Sequence, residues 1–336
     1  MSIAAEIADE YRRQSGPSAI IICGPTASGK SYLAMELCGL LGGELVSCDS
    51  MQIYRMMDIG TAKPSIEDRK KIPHHMIDIV DPWENYSVFK YKESAEIITG
   101  DIISRGKVPV FCGGTGLYIN TLIDNRTYTD EPEDAYFCEE YRAEKEKCDQ
   151  LFESGDKELL HGLLAKYDPE AAAEIHMNNI KRVYRQLVLF FITGKPRQQR
   201  NEESLLHTPK LRYLTYCLLP ERDLLYKKIN ERVDDMREKG LDDEVKMVYA
   251  ACRNNVSDEA VKSLDILKLT ALNAIGYKEI IPYLDFPELR ELGIPEERWC
   301  RDAVYDRIKK DTRRYAKRQI TWFKKTPGTV FLSPDI

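Results

Sequence analysis

The first 120 residues alternate between two periodicities. Ser18 to Cys23 (SAIIIC) is a short β-branched run that stops at Gly24, and Ser31 to Leu41 then carries apolar residues at helical spacing. Glu44 to Cys48 (ELVSC) reads as a second strand. Val108 to Cys112 (VPVFC) reads as a third, cut off by Gly113-Gly114-Thr115-Gly116. Strands that alternate with helices, each ending at Gly or Asp, predict an α/β fold: a parallel sheet with helices on both faces. From Asp130 to about Arg200 the strand signals vanish, and charged helical patterns such as EEYRAEKEKCDQLFES and IKRVYRQLVLFFITGK replace them. Leu211 to Leu219 (LRYLTYCLL) returns to the sheet, and Pro220 precedes a helix over Glu221 to Lys239 that Gly240 closes. The expected organisation is an α/β core of residues 1–125 and 206–336, interrupted by a mainly helical insertion at 126–205.

Composition narrows the class. A chain of 336 residues with 43% apolar and 31% charged residues has ample core, which excludes disordered, collagen-like and disulfide-stapled proteins. The longest apolar run, Leu187 to Ile192, is far short of the roughly 18–20 residues that span a bilayer. The N-terminus lacks the apolar segment of a secretory signal. Nine scattered cysteines with no CxxC pair fit reduced thiols better than a zinc site or a disulfide framework. The expectation is a cytoplasmic monomer with no membrane contact. The net charge of −6 hides an uneven distribution. Arg301 to Lys325 holds ten basic and three acidic residues, a local +7 that leaves −13 on the rest.

The most specific motif is GPTASGKS, Gly24 to Ser31, which matches G-x-x-x-x-G-K-[ST] at every fixed position. It follows an apolar strand and opens a helix, where inward-pointing backbone N–H groups and the helix N-terminus cradle phosphate. Gly24, Pro25, Thr26, Ala27, Ser28 and Gly29 form the loop, Lys30 supplies a point charge, and the Ser31 hydroxyl is a candidate Mg²⁺ ligand. A di- or triphosphate ligand follows. Ligands in open parallel sheets lie beyond the carboxyl ends of the strands, so Asp49, after the second strand, should lie beside this loop. Its carboxylate could be a proton acceptor, a helix N-cap or an indirect, water-bridged Mg²⁺ contact. Thr115 is either a substrate contact or a cap. The GTAKP loop at 60–64 is equally a solvated turn or a site, and His74 and His75 read as structural or surface residues.

Taken together, GPTASGKS, SCDSMQIYRMMDIGTAKP, PHHMIDIVDPWENYSVFKY, VPVFCGGTGLYI, AIGYKE and AKRQITWF resemble the tRNA dimethylallyltransferases, or isopentenyltransferases, from residue 20 to 323. The resemblance implies Mg²⁺-dependent transfer of a dimethylallyl group from its diphosphate to N6 of the adenosine 3′ of the anticodon. It implies a phosphate-loop core, with Asp49 as general base and Thr26 to Ser31 holding the prenyl diphosphate. Asp49, Ser50, Met51, Gln52 and Thr115 would line the tRNA-base site, and Arg232 would face the diphosphate. Arg142, the stretch Lys181, Arg182, Val183, Tyr184 and Arg185, and Asn273, Gly276, Tyr277 and Lys278 would contact the anticodon stem-loop. Many relatives carry Gln or Arg where Asn273 stands. The zinc finger of eukaryotic members has no counterpart in the sequence, so a bacterial type is expected.

The basic C-terminal segment suits an RNA partner. Lys309, Arg313 and Lys317 repeat at helical spacing, as do Lys310, Arg314 and Arg318, giving two rows on one broad face. Tyr315, Trp322 and Phe323 are interleaved and expected to pack on the core rather than stack on bases. A small-molecule kinase with Asp49 activating a hydroxyl, and a nucleotide-gated RNA-binding protein with Asp49 as a cap, are the competing readings. Neither the basic helix nor the size favours the kinase.

Overall fold

The computed structural model describes residues 2–16, 18–125, 141–204, 211–293 and 300–333. They fall into two compact units, one formed by residues 1–123 and 211–336 and the other by residues 124–210.

The first unit is built on a six-stranded sheet with strands β1 (Ser18–Cys23), β2 (Glu44–Ser47), β3 (His74–His75), β4 (Pro109–Gly113), β5 (Arg212–Leu218) and β6 (Thr329–Leu332). The order is β3-β2-β4-β1-β5-β6, and every pairing is parallel. Strands buried on both faces need apolar residues at every position rather than alternate ones, and β1 is enclosed along its whole length. Ile20 and Ile22 face Leu33, Ala34 and Leu37 of the helix Lys30–Leu41 and Ala4, Ile7 and Ala8 of the helix Ile3–Arg12. Ala19, Ile21 and Cys23 face the opposite layer, with Tyr91, Ala95 and Ile102 of the helix Val88–Ser104, Ile119 and Leu122 of the helix Gly116–Ile123, and Phe323. A third cluster joins Tyr54, Val233, Val245, Tyr249, Tyr277, Tyr305 and Ile308.

Because all strands run one way, the loops after β1, β2, β4 and β5 share one edge. β4 lies between β2 and β1 in the sheet, yet Asp49, just after β2, lines one cavity with Thr26, Lys30 and Ser31, beside the loop as expected. The edge strands β3 and β6 are not among the strands expected from the sequence.

The second unit is helical: Arg142–Ser154, Lys157–Tyr167, Pro169–Glu174, Ile180–Thr193 and Arg197–Ser204. Cys148, Leu160, Leu164, Leu187 and Phe191 form its centre. Asp168 organises one end, accepting the Ala171 N–H at 3.0 Å and the Arg197 N–H at 2.6 Å.

Candidate active site

The strand β1 ends in a loop whose backbone leaves ordinary L-residue space: φ is 145° at Gly24, 62° at Ala27 and 83° at Gly29. Gly24 must lack a side chain, since a Cβ would come 2.7 Å from the Leu218 carbonyl of β5. Gly29 hands the chain to the helix Lys30–Leu41 without a side-chain cap, so the amides at that N-terminus are left for a ligand. Ser28 Oγ is buried in this loop with no hydrogen-bond partner among the described residues.

One cavity of about 890 Å³ opens beside the loop. Thr26, Lys30 and Ser31 line it from β1's end, Asp49 to Gln52 from β2's end, Arg232 from the helix Arg222–Glu238, and Asn273, Gly276 and Lys278 from the turn at 273–278. Tyr315, Arg318 and Gln319 close it from the long helix Arg301–Phe323. Burial lowers the Lys30 ammonium pKa, with Arg232 adding to that effect while Cys112 and Asp49 oppose it. Burial likewise lowers Arg232, and Asp49 opposes the shift. Two poorly solvated cations around one carboxylate make a site that favours an added anion.

Asp49 Oδ1 accepts the Met51 N–H at 2.9 Å, which fixes the carboxylate's rotamer. Thr115 Oγ1 accepts the Ser50 N–H at 3.0 Å, and the Thr115 N–H donates to the Cys48 carbonyl at 3.0 Å, so the turn after β4 grips the segment carrying Asp49. Tyr315 interacts with Thr115 and Gln319; burial, then the nearby Asp49 charge, pushes its phenol up to about 12, so it remains a proton donor at neutral pH.

The glycines of the Gly113–Gly116 turn are explained by close approach. A Cβ at Gly113 would meet the Cys48 carbonyl at 2.2 Å, one at Gly114 the Gln319 Nε2 at 2.2 Å, and one at Gly116 the Trp322 ring at 2.2 Å. Phe323 is buried in the core, and Trp322 packs on the turn with its indole N–H donating to Asn120 Oδ1 at 3.3 Å. Phe323 follows the expected packing role, whereas Trp322 is 43% exposed and covers the turn from outside rather than entering the core.

Several expected contacts change character. The Tyr277 side chain is fully buried and donates to Glu244 Oε1 at 2.6 Å, so it is a core residue and not a surface contact. Val183 likewise sits in the centre of the helical unit. Tyr184 donates to Asp149 Oδ1 at 2.8 Å and stacks on Phe152. Lys181, Arg182, Arg185 and Arg142 lie on the exposed surface of that unit. Asn273 spends both amide hydrogens on the Leu267 and Leu269 carbonyls, at 2.8 and 2.9 Å, which makes it a turn-former at the cavity wall.

The two rows of the basic helix are not equivalent. Lys309 pairs with Asp234 at 2.6 Å and Arg313 donates to Asn230 Oδ1 at 2.5 Å, so most of the first row is engaged by the neighbouring helix. Arg314 pairs with Asp311 at 3.1 Å, whereas Lys310, Lys317 and Arg318 are exposed. Lys63 of GTAKP is almost wholly buried, bonded to the Tyr54 carbonyl, Asp58 and Asp78, and is structural.

The sheet and its cavity define an α/β protein with an anion-favouring site beside a fixed carboxylate. A family model described as IPP transferase matches residues 52–326, and the chain belongs to that family. It is similar to the tRNA dimethylallyltransferase of Carboxydothermus hydrogenoformans, 42% identical over 308 residues, covering 92% of this chain and 89% of that one. The tRNA dimethylallyltransferase of Acetivibrio thermocellus is 42% identical over 318 residues, with 94% and 91% covered. Among solved structures, the full-length tRNA isopentenylpyrophosphate transferase of Bacillus halodurans superposes with a TM-score of 0.62 at 36% identity, over 95% of this chain and 90% of that one. A eukaryotic dimethylallyltransferase acting on tRNA superposes with a TM-score of 0.75 at 29% identity, over 95% and 74%.

Among the described residues no helix is long and apolar enough to cross a membrane.

Proposed function

We propose that the protein transfers a dimethylallyl group from dimethylallyl diphosphate to N6 of the adenosine 3′ of the anticodon in tRNA, releasing diphosphate. The observation that carries this reading is the convergence of Lys30, Arg232 and Asp49 on one cavity in a chain of the IPP transferase family. Membership of that family favours prenyl transfer over a small-molecule kinase on the same loop.

The residues divide into two tasks. As the allylic C–O bond breaks, negative charge grows on the departing diphosphate. Lys30, Arg232 and the loop amides after Thr26 are the groups that meet it, and removing one such donor costs roughly 3–4 kcal/mol of transition-state stabilisation. Adenine N6 is a weak nucleophile whose lone pair is delocalised into the ring. Asp49 accepts its proton as the N–C bond forms, a contribution of about 10²–10⁴-fold. Met51 N–H holds Oδ1, which leaves Oδ2 for that proton. A stacked anticodon base cannot enter the cavity, so it is extruded, at a few kcal/mol that backbone contacts must offset.

Mg²⁺ fits these residues. The donors on offer are hard oxygens, and among the described residues no group of His, Cys, Asp or Glu forms a dedicated metal cage. Mg²⁺ is commonly held by one or two protein oxygens plus substrate phosphates, and Ser31 Oγ would supply the protein oxygen. The ion would neutralise diphosphate charge. Lys317, Arg318 and Lys310 are proposed to contact the tRNA backbone, as are Arg142, Lys181, Arg182 and Arg185 on the helical unit.

The test is an incubation with labelled dimethylallyl diphosphate, Mg²⁺ and unmodified tRNA, followed by nucleoside digestion. Prenylated adenosine is expected. ATP-dependent phosphorylation of a small molecule with no label in tRNA would overturn the reading.

A further inference from the structure

Gln319 directly follows the exposed cations Lys317 and Arg318 on the basic helix, yet it is only 6% exposed. Its carboxamide spans two loops. Oε1 accepts the Thr26 N–H of the phosphate loop at 2.9 Å, and Nε2 donates to the Gly114 carbonyl, also at 2.9 Å. One partner can only donate and the other only accept, so the amide has a single satisfactory orientation. Gly114 has no side chain where a Cβ would collide with that amide.

Each bond leads to one side of the proposed reaction. Thr26 opens the run of loop residues that would cradle the diphosphate. Gly114 precedes Thr115, whose hydroxyl accepts the Ser50 N–H beside Asp49. Resting on the proposed function, we infer that Gln319 is a positioning residue for prenyl transfer. It fixes the distance between the diphosphate cradle and the carboxylate side of the cavity, and it does so from the helix that would receive tRNA. Gln319 performs no proton or group transfer; it acts through Thr26 and the Gly114–Thr115 turn. Trp322, one turn further along, presses on Gly116 of the same turn, so the helix meets it at two points. Small misplacements of reacting groups are costly, with about 1 Å capable of a 10²-fold loss of rate.

The experiment compares wild type, Gln319→Ala and Gln319→Met. Methionine fills the same volume and removes both hydrogen bonds, so it reports on positioning even if the alanine variant folds poorly. For each, KM for dimethylallyl diphosphate, the single-turnover transfer rate, tRNA affinity and the thermal midpoint are measured. Both variants are expected to raise that KM roughly tenfold and to slow transfer by roughly 10–100-fold, with tRNA affinity nearly unchanged. A merely structural glutamine would lower the thermal midpoint and the active fraction without moving KM, and that result overturns the inference while leaving the wild-type activity in place. A wild-type protein that transfers nothing to tRNA overturns the functional reading and the inference with it.

Discussion

Tyr277 donates its hydroxyl hydrogen to Glu244 Oε1 at 2.6 Å inside the cluster beneath the 58–64 loop. The same carboxylate accepts the N–H groups of Asp58, Ile59 and Gly60 at 2.8, 2.6 and 2.8 Å. Two loops at the cavity, 58–64 and 273–278, are therefore tied through one side chain. Burial, then the Glu244 charge, pushes the Tyr277 phenol up, which keeps it a donor. Glu244→Ala leaves several buried donors without acceptors and is expected to destabilise the fold by roughly 3 kcal/mol, against about 1 kcal/mol for Tyr277→Phe. Urea unfolding of both single variants and the double variant checks this. Strictly additive losses would show that the pair is not coupled.

The pairing of Lys309 with Asp234 and of Arg313 with Asn230 separates the helix cations into engaged and available ones. Lys317→Ala combined with Arg318→Ala is expected to reduce the slope of log affinity against log salt for tRNA by about 2. Lys309→Ala with Arg313→Ala should reduce it by much less. Fluorescence anisotropy across a salt series measures both. Equal slopes would return the first row to the RNA face.

A pH effect follows from the Glu44 cluster at the start of β2. Hydrogen bonds from Arg105, against the opposing effect of burial and with help from His75, hold the Glu44 carboxyl down at about 2, below its ordinary 4.5. A depressed carboxyl stabilises the folded state above its unfolded pKa and loses that contribution as pH falls through the folded value. Glu44→Gln should therefore melt below wild type at pH 7, and the gap should close between about pH 4.5 and pH 2. A gap independent of pH would rule out the charge as its source.

What was legible in the chain reflects the range of each interaction. β1, β4 and β5 announced themselves because strands buried on both faces need unbroken apolar runs, and Gly24 to Ser31 because its loop is defined by neighbours in sequence. β3 has two residues, too few for any periodicity, and β6 is an edge strand with Val330 and Phe331 exposed. Gln319 lay inside a segment read for its cations, and its partners are 293 and 205 residues away. Glu244 carried no signal in the sequence, and Lys63 lay in a loop read equally as a solvated turn or a site; only the fold shows that each fills a cluster of backbone and side-chain partners. Tyr277, inside a motif read as tRNA-facing, is held by a carboxylate 33 positions upstream. An isolated sequence carries no signal for such pairings.

Asp49 is proposed to take the proton from an everted adenine amine in the same cavity that would hold the prenyl diphosphate. The most direct test is single-turnover transfer to pre-bound tRNA by wild type and Asp49→Ala, with tRNA affinity measured in parallel. The expected result is a rate loss of about 10²–10⁴-fold with tRNA binding nearly unchanged. Transfer at the wild-type rate by the Asp49→Ala protein would contradict it.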